Sequence, residues 1–463
     1  MKILLKCPTR TRPDRVKDTL KKYIELCNRP DLLGLCISAD VDDETMNNNS
    51  VRVDLRQLTS NLAWFNIFYS ENKSKIEAVN ADMEKIDWEW EIVVLVSDDM
   101  IPVHKGYDDV LRSHMMAHFP DTDGILWCTD GAQGKDLNTL SIMGRTMYNS
   151  FGYLYHPSYK SLFCDTEFTD LCKTTLSSKC VYISYLLIRH EHPGTGYAER
   201  NDSLYIRNQR YWSTDMYNYI TRKKYAYDWD ILIPTMAGRE KRLQALLASI
   251  NEKKARICSD LKIVVTLFYD NRERKVGSKR QELMSNAKGK YMSFIDDDDE
   301  ITDAYFEDAA ECIRQKNHVC RLRGKVDSCT FTHSIDIPIT GPMAVDREFL
   351  RPPNHLNVIL TDIAKFFKFD NVQIGEDFDF AVRLSKSNFL KLEYKSDPSR
   401  IHYIYNVPVG SVTDLLLYGQ YTRTIETMLL SSGSNPFVIN PRQPVNIRTG
   451  HIRFVAGRGF VSK

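Results

Sequence analysis

One order of motifs occurs twice in this chain, and it restricts the fold more than any other feature of the sequence. Near the start, the apolar run Ile3-Leu4-Leu5-Lys6-Cys7 enters Pro8-Thr9-Arg10-Thr11-Arg12-Pro13, after which Val16, Leu20 and Tyr23 recur at helical spacing. Near the middle, Ile231-Leu232-Ile233 enters Pro234-Thr235-Met236-Ala237-Gly238-Arg239, followed by Leu243, Leu246 and Leu247. A second strand in each half ends on an acid: Leu35 to Ser38 before Asp40, and Ile263 to Phe268 before Asp270. A third strand, Ile92 to Val96, precedes Ser97-Asp98-Asp99-Met100, and its counterpart Tyr291 to Ile295 precedes Asp296-Asp297-Asp298-Asp299-Glu300. Motifs repeated in the same order indicate a duplicated structural unit. Strands alternating with helical segments predict α/β sheets with parallel strands, whose ligands bind at the carboxyl edge, where these acids gather.

The polar stretch from Gly194 to Tyr227, rich in Tyr, Asn and Arg, marks the boundary between the halves. The expected domains are 1–224 and 225–430, the second closed by a helix from Asp414 to Met428, with a Ser-, Gly-, Pro- and Asn-rich tail at 431–463. A chain of 463 residues with 43% hydrophobic and 27% charged residues has material for real cores, which excludes disordered and collagen-like classes. Its 62 basic and 61 acidic side chains leave a net charge of +1, so no global field advertises nucleic acid. No apolar run approaches the roughly 18 residues of a membrane span, and Met1 to Leu5 reads as a first strand rather than a secretory signal. The 11 cysteines include no CxxC pair, and the positions of Cys164, Cys172 and Cys180 match no zinc site, so reduced thiols in a cytoplasmic protein are expected, in the host cytoplasm if the chain is viral.

The acidic cluster Asp296 to Glu300 carries the strongest chemical signal, because adjacent carboxylates repel and a divalent cation is their natural counter-ion. Hard oxygen ligands suit Mg²⁺ or Mn²⁺, which keep coordination positions open for phosphate oxygens. A solvated acidic turn is the plain alternative. Downstream stand Gly375-Glu376-Asp377-Phe378-Asp379 and then Arg400-Ile401-His402. Carboxylates that open a helix complement its dipole, and one placed over a metal site also serves as a general base. The first half holds the same series: Ser97-Asp98-Asp99, Asp165-Thr166-Glu167-Phe168 and Arg189-His190-Glu191-His192. His190 follows Glu167 and His402 follows Asp377 at nearly the same distance. Basic stretches precede each acidic strand, from Asn271 to Lys290 and from Asn72 through Lys75 to Asn80, and they suit a diphosphate as well as they suit a solvated helix face. Neither GxxxxGK[ST] nor GxGxxG is present.

In this order the residues resemble nucleotide-sugar-dependent glycosyltransferases of the GT-A fold, close to the inverting family 2. The resemblance covers about residues 229 to 405 and rests on Pro234-Thr235, Arg239, Asp270, Gly277-Ser278-Lys279-Arg280, Asp296 to Asp299 and Gly375-Glu376-Asp377. It implies two tandem GT-A domains, Rossmann-like with mixed and mostly parallel sheets, plus a short C-terminal extension. It assigns Pro234, Thr235, Arg239, Asp270 and Asp297 to the donor nucleotide, Lys279 and Arg280 to its diphosphate, Asp296, Asp298 and His402 to the metal, and Asp377 to the general base. The first half resembles a divergent relative, similar to a subgroup common in phage and environmental sequences. There Pro8, Thr9, Arg12, Asp40 and Lys75 stand for the donor site, Asp98, Asp99 and His190 for the metal, and Glu167 for the base; serine replaces the first metal-motif acid and glutamate the aspartate base.

The implied activity is transfer of a sugar from a nucleoside-diphosphate sugar to a hydroxyl acceptor, with Mn²⁺ or Mg²⁺ and one or two active sites. The acceptor is a glycan or, in a viral chain, a hydroxymethylated DNA base, for which the basic tail (Arg442, Arg448, Arg453, Arg458, Lys463) would supply phosphate contacts. Two other classes share these features: a nucleotidyltransferase of similar architecture, which releases pyrophosphate, and a lectin-like glycan binder, which turns nothing over.

Overall fold

The computed structural model describes residues 1–71, 74–191, 203–326, 329–337, 343–345, 348–406 and 452–454. The chain divides into two compact units, Met1–Lys223 and Lys224–Lys463. The helix expected from Asp414 to Met428 lies outside the described residues.

The first unit runs β1 (Ile3–Thr9), α1 (Pro13–Leu26), β2 (Leu33–Asp40), α2 (Asn49–Leu58), β3 (Trp64–Ser70), α3 (Lys75–Asn80), β4 (Ile92–Leu95), β5 (Met100–Pro102) and α4 (Tyr107–His118). It continues through β6 (Ile125–Cys128), β7 (Ile142–Gly144), α5 (Arg145–Phe151), α6 (Cys164–Lys173), β8 (Cys180–Ile183), β9 (Ile188–His190), α7 (Ser203–Gln209) and α8 (Trp212–Arg222). Strands β2 and β4 are buried along their whole length, as parallel strands covered on both faces are. Helix α1 opens with Pro13, whose missing N–H costs nothing in the first turn, and buries Val16, Leu20 and Tyr23 against the sheet.

The second unit runs β10 (Tyr227–Met236), α9 (Glu240–Ile257), β11 (Ile263–Asp270), α10 (Val276–Asn286), β12 (Gly289–Phe294), β13 (Glu300–Ile301), α11 (Asp303–Arg314), β14 (Val319–Cys320), β15 (Leu322–Val326) and β16 (Cys329–His333). Then come β17 (Met343–Val345), β18 (Glu348–Arg351), β19 (Ile359–Leu360), α12 (Thr361–Ala364), α13 (Glu376–Ser387), β20 (Glu393–Tyr394), β21 (Tyr403–Tyr405) and β22 (Ile452–Phe454). This last strand is the described part of the tail, and it pairs antiparallel with β11.

The two main sheets have one topology. Their orders are β3-β2-β1-β4-β7-β6-β8 and β20-β14-β19-β12-β10-β11-β22. Read outward from β2 and from β11, the series β2-β1-β4-β7-β6-β8 and β11-β10-β12-β19-β14-β20 share every parallel and antiparallel pairing. The antiparallel pair β5–β9 likewise corresponds to β13–β21, which the second unit extends into a six-stranded sheet with β15, β16, β17 and β18. The expected α/β class, with two like units and mixed sheets, is therefore the one observed. Register also fixes which residues correspond at the strand ends. Val96 donates its N–H to the Lys6 carbonyl at 2.9 Å, as Ile295 does to Leu232 at 3.1 Å. Ser97, Asp98, Asp99 and Met100 therefore stand where Asp296, Asp297, Asp298 and Asp299 stand.

Candidate active site

In the second unit, Pro234 and Thr235 end β10 and Asp270 ends β11, its parallel neighbour. Asp297 is buried, accepts from Thr235 Oγ1 at 2.5 Å and pairs with Arg239 Nη1 at 2.5 Å. The expected donor ligand Asp297 is thus a strut joining the ends of β10 and β12 to the start of α9. Asp270 accepts from Lys279 Nζ at 2.6 Å and from the backbone of Arg272 and Arg274, which outweigh its burial and hold it below the usual carboxylate range. Lys279 is buried in that pair and is not a free cation for a diphosphate.

Arg280, the next residue on α10, joins the two parts of the site. One Nη meets both oxygens of Asp296 at 2.8 and 2.9 Å, and the other meets Glu376 Oε1 at 2.5 Å in the first turn of α13. Two glycines allow this approach. A Cβ on Gly277 would lie 1.9 Å from the Asp370 carbonyl oxygen, and the Gly277 N–H instead bonds Val372 O at 3.1 Å, seating the segment before α13 on α10. Gly375 caps α13 at φ +91°, a conformation that side chains resist. Asp377 therefore begins its helix beside the strand-end acids. Burial alone would raise its carboxyl, but His355, Arg280 and Arg351 outweigh that and keep it ionised. Among the described residues no side chain forms an ion pair with it. Glu376 moves the other way, pushed up to about 7 by burial in spite of Arg280.

Asp298 and Asp299 are both held above the usual carboxylate range. Burial raises Asp298, whose ion-pair partner is the half-buried Arg239 at 3.0 Å. Burial, with the charges of Asp296 and Asp298, pushes Asp299 to about 8 although Tyr403 and the Asn406 backbone donate to it at 2.9 and 3.0 Å. Hard oxygen donors short of counter-charge fit a divalent cation that shares its remaining positions with water and phosphate. Asp296 is the weaker member of the expected set, since both of its oxygens take Arg280. His402 is not one at all. Its Nδ1 accepts from Arg323 N at 2.9 Å and its Nε2 donates to Asp308 Oδ2 at 2.8 Å, so the buried ring has no nitrogen left for a metal. No group of three or more His, Cys, Asp or Glu side chains among the described residues forms a closed metal cage.

The first unit places its acids alike and neutralises them differently. Arg12 at the N-cap of α1, like Arg239 at the N-cap of α9, grips the middle acid: its Nη1 lies 3.1 and 2.9 Å from the oxygens of Asp98. Arg10 pairs with Asp40 at the end of β2. Pro8 and Thr9 end β1 as expected. Counted from their N-caps, Ala78 and Val79 of α3 replace Lys279 and Arg280 of α10, and the buried cation of this region is Lys6, bonded to Ser38. Lys75 is exposed at the first position of α3 and favours the ionised Asp99. His190 lies 3.7 Å from Asp99 and 3.9 Å from Asp130. Burial opposes its proton, but the two carboxylates prevail and lift it to about 9. In this structure Asp98 pairs with Arg12, and His190 lies between Asp99 and Asp130 as an ion-pair cluster. Glu167 is closed as well: Arg222 donates twice at 2.8 and 2.7 Å, Tyr159 donates at 2.5 Å, and together they outweigh burial to lower it.

Sequence reasoning missed Asp299 as an undercompensated acid, the Arg280–Glu376 bond and the buried imidazole of His355. The acid run contained the first; nothing local announces the others.

Residues 248–374, inside the second unit, match the model of the family described as Glycosyl transferase family 2. The resemblance drawn from the motifs thus has an independent match over these residues. No curated protein matches it. Among solved structures, a mannosyltransferase from Pyrobaculum calidifontis in complex with GDP-Man and Mn²⁺ is similar at 13% identity and a TM-score of 0.37, over 48% of this chain and 65% of that one. TarS of S. aureus, residues 1–349, is similar in its complex with UDP-GlcNAc at 14% identity and 0.32, over 47% and 67%, and in its complex with UDP at 17% and 0.27, over 39% and 60%.

Proposed function

We propose that the second unit transfers a sugar from a nucleoside-diphosphate sugar to a hydroxyl acceptor by a single inverting displacement, and that the first unit keeps the architecture without the chemistry. The observation that carries this reading is the Arg280 clasp, which fixes the helix start bearing Asp377, without an ion-pair partner among the described residues, beside the strand-end acids. It lies where the family 2 match ends and the general-base motif begins.

Thr235 and Asp270 border the nucleoside, and Arg239, half-buried beside Asp297 and Asp298, is the cation nearest the diphosphate. Asp377 takes the proton of the acceptor hydroxyl as its oxygen attacks the anomeric carbon. The bond from that carbon to the diphosphate oxygen breaks, and the nucleoside diphosphate leaves with the electron pair. Mn²⁺ or Mg²⁺ held by Asp298 and Asp299 would stabilise the charge of the leaving group. The acceptor belongs to the glycans or other hydroxyl compounds; for a DNA base, the basic residues expected to help lie outside the described residues except Arg453 in β22. No helix among the described residues is long and apolar enough to cross a membrane, and a cytoplasmic site of action is part of this proposal.

The test is release of nucleoside diphosphate from a panel of nucleotide sugars with Mn²⁺, with and without candidate glycan acceptors. Turnover of one donor that Asp377→Asn abolishes supports the reading. Pyrophosphate as the product would make the chain a nucleotidyltransferase, and glycan binding without turnover would make it a lectin.

A further inference from the structure

His355 is a buried imidazole whose backbone is fixed from several sides while its ring is left unpaired. Its carbonyl accepts from Phe294 N at 2.8 Å, at the end of β12. Asn354 Oδ1 accepts from Leu356 N at 3.0 Å, Tyr305 OH donates to Leu356 O at 3.0 Å, and Asn357 ties the same turn to the Cys320 carbonyl at 3.0 Å. The ring packs edge-on against Phe294. Among the described residues neither ring nitrogen finds a hydrogen-bond partner, although the side chain is only 2% exposed. Asp296 faces the ring, its Oδ2 3.8 Å from Nε2, and among the described residues Arg280 Nε, also buried, finds no hydrogen-bond partner. Burial and the charge of Arg280 hold the ring neutral. A buried polar group without a hydrogen bond is a stability cost, and here it faces Asp296 from a turn held by several hydrogen bonds.

We propose that His355 is a positioning residue of the second unit: when a donor occupies the strand-end acids, its Nε2–H closes onto Asp296 and fixes that carboxylate while Arg280 keeps its hold on Glu376. The inference rests on the transferase reading above and adds to it a group that neither the family motif nor the acid clusters contain. Among the described residues the Asp296 carboxylate takes hydrogen bonds from Arg280, and a second donor would restrict its remaining freedom.

The experiment compares wild type, His355→Leu and His355→Gln by thermal unfolding and by nucleoside-diphosphate release from the panel of nucleotide sugars with Mn²⁺. Removing an unpaired polar group in favour of an apolar one leaves the Tm of His355→Leu equal to or above that of wild type. Loss of one orienting hydrogen bond lowers its kcat roughly tenfold with the acceptor KM unchanged, and His355→Gln restores most of the rate. An unchanged kcat in His355→Leu overturns the proposal, and so does a lowered Tm with a matching loss of rate, which marks a packing role. If wild type turns over no donor, the transferase reading fails by itself, and calorimetric binding of UDP and GDP with Mn²⁺ to the same variants decides the matter. Weaker binding in His355→Leu that Gln reverses upholds the role; equal binding, or no binding by wild type, ends it.

Discussion

The two strand-end sites share a register and differ in where their charge goes. In the first unit each candidate acid has a cation: Arg10 for Asp40, Arg12 for Asp98, His190 for Asp99 and Arg222 for Glu167. In the second unit Asp270, Asp296, Asp297 and Asp298 have cations in the same manner, and burial raises Asp298 as it raises Asp98, but Asp299 and Asp377 have no ion-pair partner among the described residues. Uncompensated buried charge is unfavourable and collects where ligands or chemistry supply the missing partner. The difference teaches that motif order reports ancestry, while the side chain opposite each acid reports whether that acid is available.

The most demanding test of the contrast is the pair of base positions. Asp377→Asn should lower kcat by about 10²–10⁴, the usual worth of a general base, whereas Glu167→Gln should leave turnover unchanged, since Arg222 and Tyr159 already hold that carboxylate. Nucleoside-diphosphate release by each single variant and by the double variant reads this directly. A loss in Glu167→Gln that adds to the loss in Asp377→Asn would restore two active sites and break the comparison.

A smaller effect is expected from the clasp itself. Arg280→Met leaves Asp296 and Glu376 buried together without their cation, which should cost about 3–5 kcal/mol of stability. Val79, at the matching place in α3, holds no charge, so Val79→Met should move stability by only about 1 kcal/mol through packing. Urea unfolding of both variants measures the gap; equal midpoints would show that Arg280 is not the element that organises the second site.

Much of this was legible in the sequence because it is local. Pro8-Thr9 and Pro234-Thr235 end strands, Arg12 and Arg239 open helices, and the acids follow the third strands, each fixed by a few neighbouring residues. The partners were not legible. Arg280 meets Glu376 across 96 positions, so a run that reads as a phosphate-binding basic patch turns out to be spent on the protein's own acids. The two histidines illustrate the same limit. Their similar distances from the base suggested one role, yet Met100, the counterpart of Asp299, pairs with His190. In the second unit the register of Ile301 with Tyr403, carried two residues back, sets Tyr405 rather than His402 against Asp299. Spacing along the chain does not conserve facing across a sheet.

The subtlest test concerns the cation that occupies the first site. His190 titrates near 6.5 when unfolded and at about 9 when folded, so its ion pairs contribute fully below pH 6.5 and lose their contribution as pH rises through 9. At separations of 3.7 and 3.9 Å from Asp99 and Asp130 that contribution is on the order of 2–3 kcal/mol, counted once although it also depresses both carboxylates. The first unit should therefore weaken between pH 6.5 and 9, and His190→Gln should flatten that slope. Donor turnover by the second unit owes nothing to His190 and should keep its own pH profile in the variant. Unfolding midpoints between pH 6 and 10 measure the slope. A flat wild-type profile would mean that His190 is neutral in the folded protein, and its place beside Asp99 would then be open to a metal ion after all.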